Sequence, residues 1–212
     1  MKPKLMIFDF SGTLAYLAKP VDFKEFFDSL KKFGIEITTD EDINTFVSLF
    51  ADLLGFAKDW LDCSEKLFEE YVGKPEREII EKLAKFLEKN ISFELYDDVK
   101  EIFDLPVQKA ILSANARFII KSLGLEEFAR VFTLKETKFL KPDQRAFLAV
   151  LEKLKVKPEE TLMVGDELER DLIPAKKLGM ETILIDRGDK IENTPVEKIS
   201  SLAELKQILM GL

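Results

Sequence analysis

The chain has 212 residues, 46% of them hydrophobic and 34% charged, with a net charge of −8. That make-up describes a globular protein with one sizeable domain, or a core domain with a smaller insert. A single cysteine, Cys63, and the absence of histidine exclude an internal disulfide, a zinc site built on Cys or His, and every imidazole acid or base.

The first ten residues read as a strand centred on Leu5-Met6-Ile7-Phe8, a short apolar run suited to a buried parallel sheet. They lack the longer apolar stretch and small-residue cleavage site of a signal peptide, so a cytoplasmic location is expected. The run ends in Asp9, and Ser11, Gly12 and Thr13 follow. From Val21 to about Asn90 the texture is helical. Phe23, Phe26, Phe27 and Leu30 fall at helical spacing, as do Ile43, Phe46, Val47 and Phe50, and then Ile80, Leu83, Ala84 and Leu87. Breaks at Gly34, Gly55 and Gly73-Lys74-Pro75 divide this block into four helices. Its many Phe residues and Trp60 read as core packing, and Cys63 as a packed, unreactive thiol.

From Tyr96 strands and helices alternate. Lys109 to Ser113 is a strand, Arg117 to Leu123 a short helix ended by Gly124, and Val131 to Leu134 a strand. Pro142 is placed in the first turn of a helix reaching about Lys155. Thr161 to Val164 is a strand ending at Gly165-Asp166. Asp171 to Leu178 is a helix stopped by Gly179. Thr182 to Ile185 is the last clear strand, and Leu202 to Met210 the last helix. Alternation of this kind predicts an α/β fold: a Rossmann-like parallel sheet with helices on both faces. The first strand must join that sheet to be buried. Residues 1–15 and 95–212 therefore form the expected core, and 16–94 an all-helical insert after the first strand.

Open parallel sheets place their ligands beyond the carboxyl ends of the strands. Four polar clusters belong at that rim: Asp9 to Thr13, Ser113 to Asn115, Lys141 to Asp143, and Gly165-Asp166 with Asp171. Asp9 and Asp166 meet if their strands end side by side, and bare like charges so close are costly. A divalent cation resolves the repulsion, and all-oxygen ligands suit Mg²⁺. The Ser113 hydroxyl, the Lys141 ammonium and free backbone N–H groups fit the oxygens of a phosphoryl group. Asp9 can then attack phosphorus and form an aspartyl-phosphate. Asn115 and Arg117 fit phosphate contact or a structural role at the start of a helix.

These motifs, in this order, resemble those of the haloacid dehalogenase-like hydrolases. Asp9-Phe10-Ser11-Gly12-Thr13-Leu14 is similar to that family's nucleophile loop, Ser113 to its phosphate-binding hydroxyl, Lys141 to its neutralising lysine, and Gly165 to Asp171 to its acidic metal motif. The helical insert is similar to a cap that closes over small substrates. The resemblance implies catalysis by Asp9, Ser11 and Lys141; phosphate binding by Gly12, Ser113, Asn115 and Lys141; and Mg²⁺ held by Asp9, Asp166 and the backbone carbonyl of Ser11, with Asp171 in support. One position departs from the pattern. Phosphatases of the family carry Asp where this chain has Ser11, and that Asp protonates the leaving group and then activates water. Such help contributes about 10²–10⁴-fold, so hydrolysis of a phosphoenzyme is expected to be slow.

The expected substrate is a small phosphorylated metabolite, handled by a monomer or homodimer. An acidic surface disfavours nucleic acid, and the lack of a long apolar run disfavours a membrane span. Ser11 keeps two alternatives open: a metal-free haloacid dehalogenase, and an impaired member that binds a phosphorylated ligand or a protein partner. Cleavage of a phosphonate would need a Schiff-base lysine from the insert, for which Lys58 and Lys66 are available.

Overall fold

The computed structural model describes residues 2–74 and 76–211; Pro75, one of the predicted breaks, lies outside them. In chain order the elements are β1 (Leu5–Phe8), β2 (Ala15–Leu17), α1 (Phe23–Leu30), α2 (Asp40–Phe56), α3 (Trp60–Tyr71), α4 (Arg77–Asn90), β3 (Phe93–Leu95), β4 (Gln108–Leu112), α5 (Arg117–Ser122), β5 (Arg130–Phe132), α6 (Leu134–Thr137), α7 (Gln144–Leu154), β6 (Thr161–Gly165), α8 (Ile173–Lys177), β7 (Glu181–Ile185), β8 (Glu197–Ile199) and α9 (Ala203–Gly211).

Six strands form one parallel sheet in the order β5-β4-β1-β6-β7-β8. β1 lies between β4 and β6, with Phe8 opposite Ile111 on one side and Val164 on the other. Alternate residues of each strand serve opposite faces, as the pleat requires. Met6, Phe8, Ile111, Leu162, Val164, Ile183 and Ile185 face one core, which includes Ile119 and Ile120 of α5 and Leu205 of α9. Leu5, Ile7, Ala110, Leu112, Met163 and Leu184 face the other, against Ala146, Phe147, Val150 and Leu151 of α7. This is the Rossmann-like architecture expected from the alternation.

Helices α1 to α4 gather around their own core, in which Phe26, Phe27, Leu30, Phe46, Phe50, Cys63, Leu67, Leu83 and Leu87 are buried. Most of the periodic positions are thus the inward ones, but Phe23 and Val47, which share that spacing, are exposed at 65% and 52%. Helix starts are capped by Asp22, Thr39 and Asp59, whose side chains accept the N–H groups of Glu25, Asp42 and Asp62. β2 and β3 pair antiparallel, Ala15 with Leu95 and Leu17 with Phe93. The chain therefore leaves and re-enters the core on one two-stranded ribbon, which straddles the predicted boundaries at 15–16 and 94–95. The helical unit leans on the core at two places. Trp60 meets Phe118 of α5 edge-on at 5.1 Å, and Gly55 of α2 lies against Leu134 of α6, where an added Cβ would be 3.0 Å from the leucine side chain.

Three local expectations are corrected. Pro142 is not in the first turn of α7. Asp143 is the N-cap, its carboxylate accepting the Arg145 N–H at 2.9 Å, so the helix begins at Gln144. The helix expected from Asp171 to Leu178 starts earlier, and its first turn, Leu168–Leu172, is a wide π-helical one that runs into the short α8. A sixth sheet strand, β8, follows the one taken as last. It has three residues, of which only Ile199 is buried, so it carries no apolar run to reveal it.

Candidate active site

The register of the sheet builds the site. β1, β4 and β6 run parallel and in step, so Asp9, Ser113 and Asp166 emerge together at their carboxyl ends. Asp9 still belongs to the ladder through its N–H, which donates to the Val164 carbonyl at 2.9 Å. The chain then turns sharply: Leu14 and Ala15 both donate to the Phe10 carbonyl at 2.9 Å, and Gly12 donates to that of Ala15 at 2.7 Å. Gly12 takes φ +84°, and a Cβ there would lie 2.1 Å from Asp166 Oδ2. Gly165 is under the same constraint, since its Cβ would lie 2.4 Å from Asp171 Oδ2. Two glycines thus make room for two carboxylates.

Lys141 is buried between the acids. Its Nζ donates to Asp9 Oδ1 at 2.5 Å and to Asp171 Oδ1 at 2.6 Å. Burial works against its charge, but the two carboxylates outweigh this and hold its pKa above the ordinary value. Carboxylate oxygens of Asp9, Asp166 and Asp171 all lie within 4.8 Å of one another. Burial pushes Asp166 up to about 7, with Asp9 and then Asp171 adding to the rise. Burial likewise pushes Asp171 up to about 6, with Lys141 pulling it back and Asp9 raising it. Three acids against one lysine leave the cluster short of positive charge. The donors are all oxygen and close together, and they fit a hard divalent cation such as Mg²⁺. Thr13 Oγ1 donates to Asp166 Oδ1 at 3.4 Å, while the Glu167 N–H reaches Asp171 Oδ2 at 3.3 Å.

The other predicted residues are placed as follows. Ser113 is buried at the end of β4, and its Oγ accepts the Asn115 N–H at 3.0 Å. Asn115 is thereby on the same loop, with its side-chain amide 3.5 Å from that Oγ. Ser11 is exposed on the turn, in a bridge with Ala15. Arg117 serves as a strut: it donates to Glu126 at 2.7 Å and to the Val131 carbonyl at 2.6 Å, and lies 3.2 Å from Glu136. Cys63 is fully buried, and burial pushes its thiol up to about 12, which leaves it unreactive.

One residue at this rim went unpredicted. Arg187, just past β7, donates through Nη2 to the Thr13 carbonyl at 2.7 Å. The residue directly past β7 is Asp186, so Arg187 stands one place beyond the position that singled out Asp9 and Asp166.

The profile of the haloacid dehalogenase-like hydrolases matches residues 3–179. The chain belongs to that family. Among solved structures, a haloacid dehalogenase-like phosphatase from Thermococcus onnurineus is 26% identical, with a TM-score of 0.64 over 98% of both chains. A 2-haloacid dehalogenase from Pseudomonas syringae shares the fold, with a TM-score of 0.71 at 19% identity over 99% of both chains. Among curated relatives, a glyceraldehyde 3-phosphate phosphatase from Methanocaldococcus jannaschii is 37% identical over 95 residues. That match spans 42% of each chain, so under half of the relative's length is aligned. No described helix is long and apolar enough to cross a membrane.

Proposed function

We propose that this family member is a Mg²⁺-dependent phosphatase acting on a small phosphorylated metabolite, with Asp9 as nucleophile and turnover weakened by Ser11. The observation that carries the reading is the cluster itself: a lysine bridging two carboxylates, with a third within reach. A haloacid dehalogenase has no need of so many acids, whereas a metal-assisted phosphatase does. The curated relatives include phosphatases of glyceraldehyde 3-phosphate and of ribulose 1,5-bisphosphate, and a phosphorylated sugar is the substrate class we favour.

In this reading Asp9 attacks phosphorus, the bond from phosphorus to the substrate oxygen breaks, and an aspartyl-phosphate results. Lys141 offsets the charge between carboxylate and phosphate. Gly12 lets the backbone approach, and Ser113 with Asn115 holds phosphate oxygens. Asp9, Asp166 and the Ser11 carbonyl would hold Mg²⁺ with support from Asp171, and the bound cation would withdraw charge from the phosphoryl oxygens. Residues 16–94 act as the cap that excludes water. Ser11 cannot ionise near neutral pH, so neither protonation of the leaving oxygen nor activation of water has its usual carboxylate.

The test is hydrolysis of p-nitrophenyl phosphate with Mg²⁺ by the chain and by Ser11→Asp. Turnover should rise by about 10²–10⁴-fold in the variant, the span of general acid–base help. Asp9→Asn should abolish any phosphoenzyme. Folded protein inactive in both forms would refute the phosphatase reading, and chloride release from 2-chloropropionate without metal would favour the dehalogenase.

A further inference from the structure

Arg187 joins segments that the sequence keeps far apart. Its Nη2 donates to the Thr13 carbonyl at 2.7 Å and to Asp98 Oδ1 at 3.0 Å, and its Nη1 donates to Asp98 Oδ2 at 2.9 Å. The guanidinium carbon lies 3.6 Å from the centre of the Tyr96 ring. Asp98 Oδ2 also accepts the Ser201 hydroxyl at 2.8 Å and the Leu202 N–H at 2.9 Å. Tyr96 in turn donates its N–H to the Leu14 carbonyl at 3.1 Å.

Thr13 and Leu14 belong to the turn that carries Asp9. Tyr96 and Asp98 belong to the segment by which the chain returns from the helical unit. These are the two roots of the ribbon formed by β2 and β3. A planar guanidinium suits this task because it donates in two directions and stacks on an aromatic face at the same time. A lysine ammonium in its place could satisfy Asp98 or Thr13 but not stack on Tyr96. The pair is mostly shielded, at 17% and 16% side-chain exposure, so it escapes most of the solvent screening that makes surface ion pairs weak.

We infer that Arg187 is a positioning residue: it locks the turn of the nucleophile to the root of the cap, so that the seat of Asp9 and the setting of the cap form one unit. The part concerning Asp9 rests on the phosphatase reading; the locking of the two segments does not.

The experiment compares the full chain with Arg187→Met and Arg187→Lys by amide hydrogen exchange and by p-nitrophenyl phosphate turnover with Mg²⁺, each also in the Ser11→Asp background. Arg187→Met should speed exchange about tenfold or more in residues 12–17 and 94–98 while leaving β4 and α7 protected, a local opening rather than a global one. Its kcat should fall by about 10²-fold with a smaller change in KM, the scale of a misplacement of roughly 1 Å. Arg187→Lys should recover thermal stability but neither linker protection nor kcat. If Arg187→Met leaves Asp98 too costly to fold, Arg187→Met with Asp98→Asn removes both charges and gives the same readings. Unchanged exchange in the two segments, or a uniform rise throughout the chain, overturns the inference. Absence of turnover in every form would sink the phosphatase reading, and the exchange arm would still decide the lock.

Discussion

Gly12 is where the chemistry of a single hydrogen atom decides the most. A methyl group there would fall within 2.1 Å of Asp166 Oδ2, and φ +84° is itself unfavourable for an L side chain. Gly12→Ala should therefore displace Asp166, lower stability by about 1–3 kcal/mol, and weaken Mg²⁺ binding measured by calorimetry. A Mg²⁺ affinity equal to that of the parent would mean that Asp166 does not touch the ion. Much of this site was legible residue by residue. Asp9, Ser113 and Asp166 are polar residues that end apolar runs, and parallel strands in register must bring such residues together. Lys141 was placed by its motif, and its double contact with Asp9 and Asp171 gives it a physical reason to be buried. Arg187 was passed over because its partners, Thr13, Tyr96 and Asp98, are brought to it only by the fold.

At the scale of elements, segments with an apolar run or periodicity were readable, even the three-residue β5, and short ones without it were not. Helices α1 to α4 bury enough apolar surface to stamp a pattern on the sequence. β2, β3 and β8 have three residues each and are fixed by pairing with neighbours, which leaves no periodic trace. The same holds for the wide π-helical turn at Leu168–Leu172, which carries Asp171 inward to its contact with Lys141. The contact between α3 and α5 can be checked directly. Trp60 is the only tryptophan, and its ring meets Phe118 at 5.1 Å. Phe118→Ala should shift Trp60 emission to longer wavelength as water replaces the phenyl ring. An unchanged spectrum would show that the helical unit does not rest on α5 in solution.

For the whole molecule, the lack of histidine simplifies the response to pH, since no side chain with an ordinary pKa titrates between about 5 and 8. Asp166, raised to about 7, and Asp171, raised to about 6, fill that gap from an ordinary 3.8. Between those values the folded chain holds more protons than the unfolded one. Without a cation, stability from this pair is therefore present at low pH and lost as pH rises through about 6 to 7. Metal-free Asp166→Asn should melt above the parent at about pH 8, with the gap closing towards about pH 4. A gap independent of pH would locate the titration elsewhere. In the phosphatase reading Mg²⁺ competes with those protons, so its stabilising effect on the parent should be greater at about pH 8 than at about pH 5.

The position of β1 has a consequence for how the chain is made. It precedes the other strands of its sheet in the chain, yet its two neighbours, β4 and β6, begin only at Gln108 and Thr161. The helical unit between β2 and β3 is complete before either neighbour exists and can collapse on its own Phe-rich core through contacts close in sequence. The strand that bears Asp9 must wait, an apolar segment without partners, until β4 and then β6 have emerged.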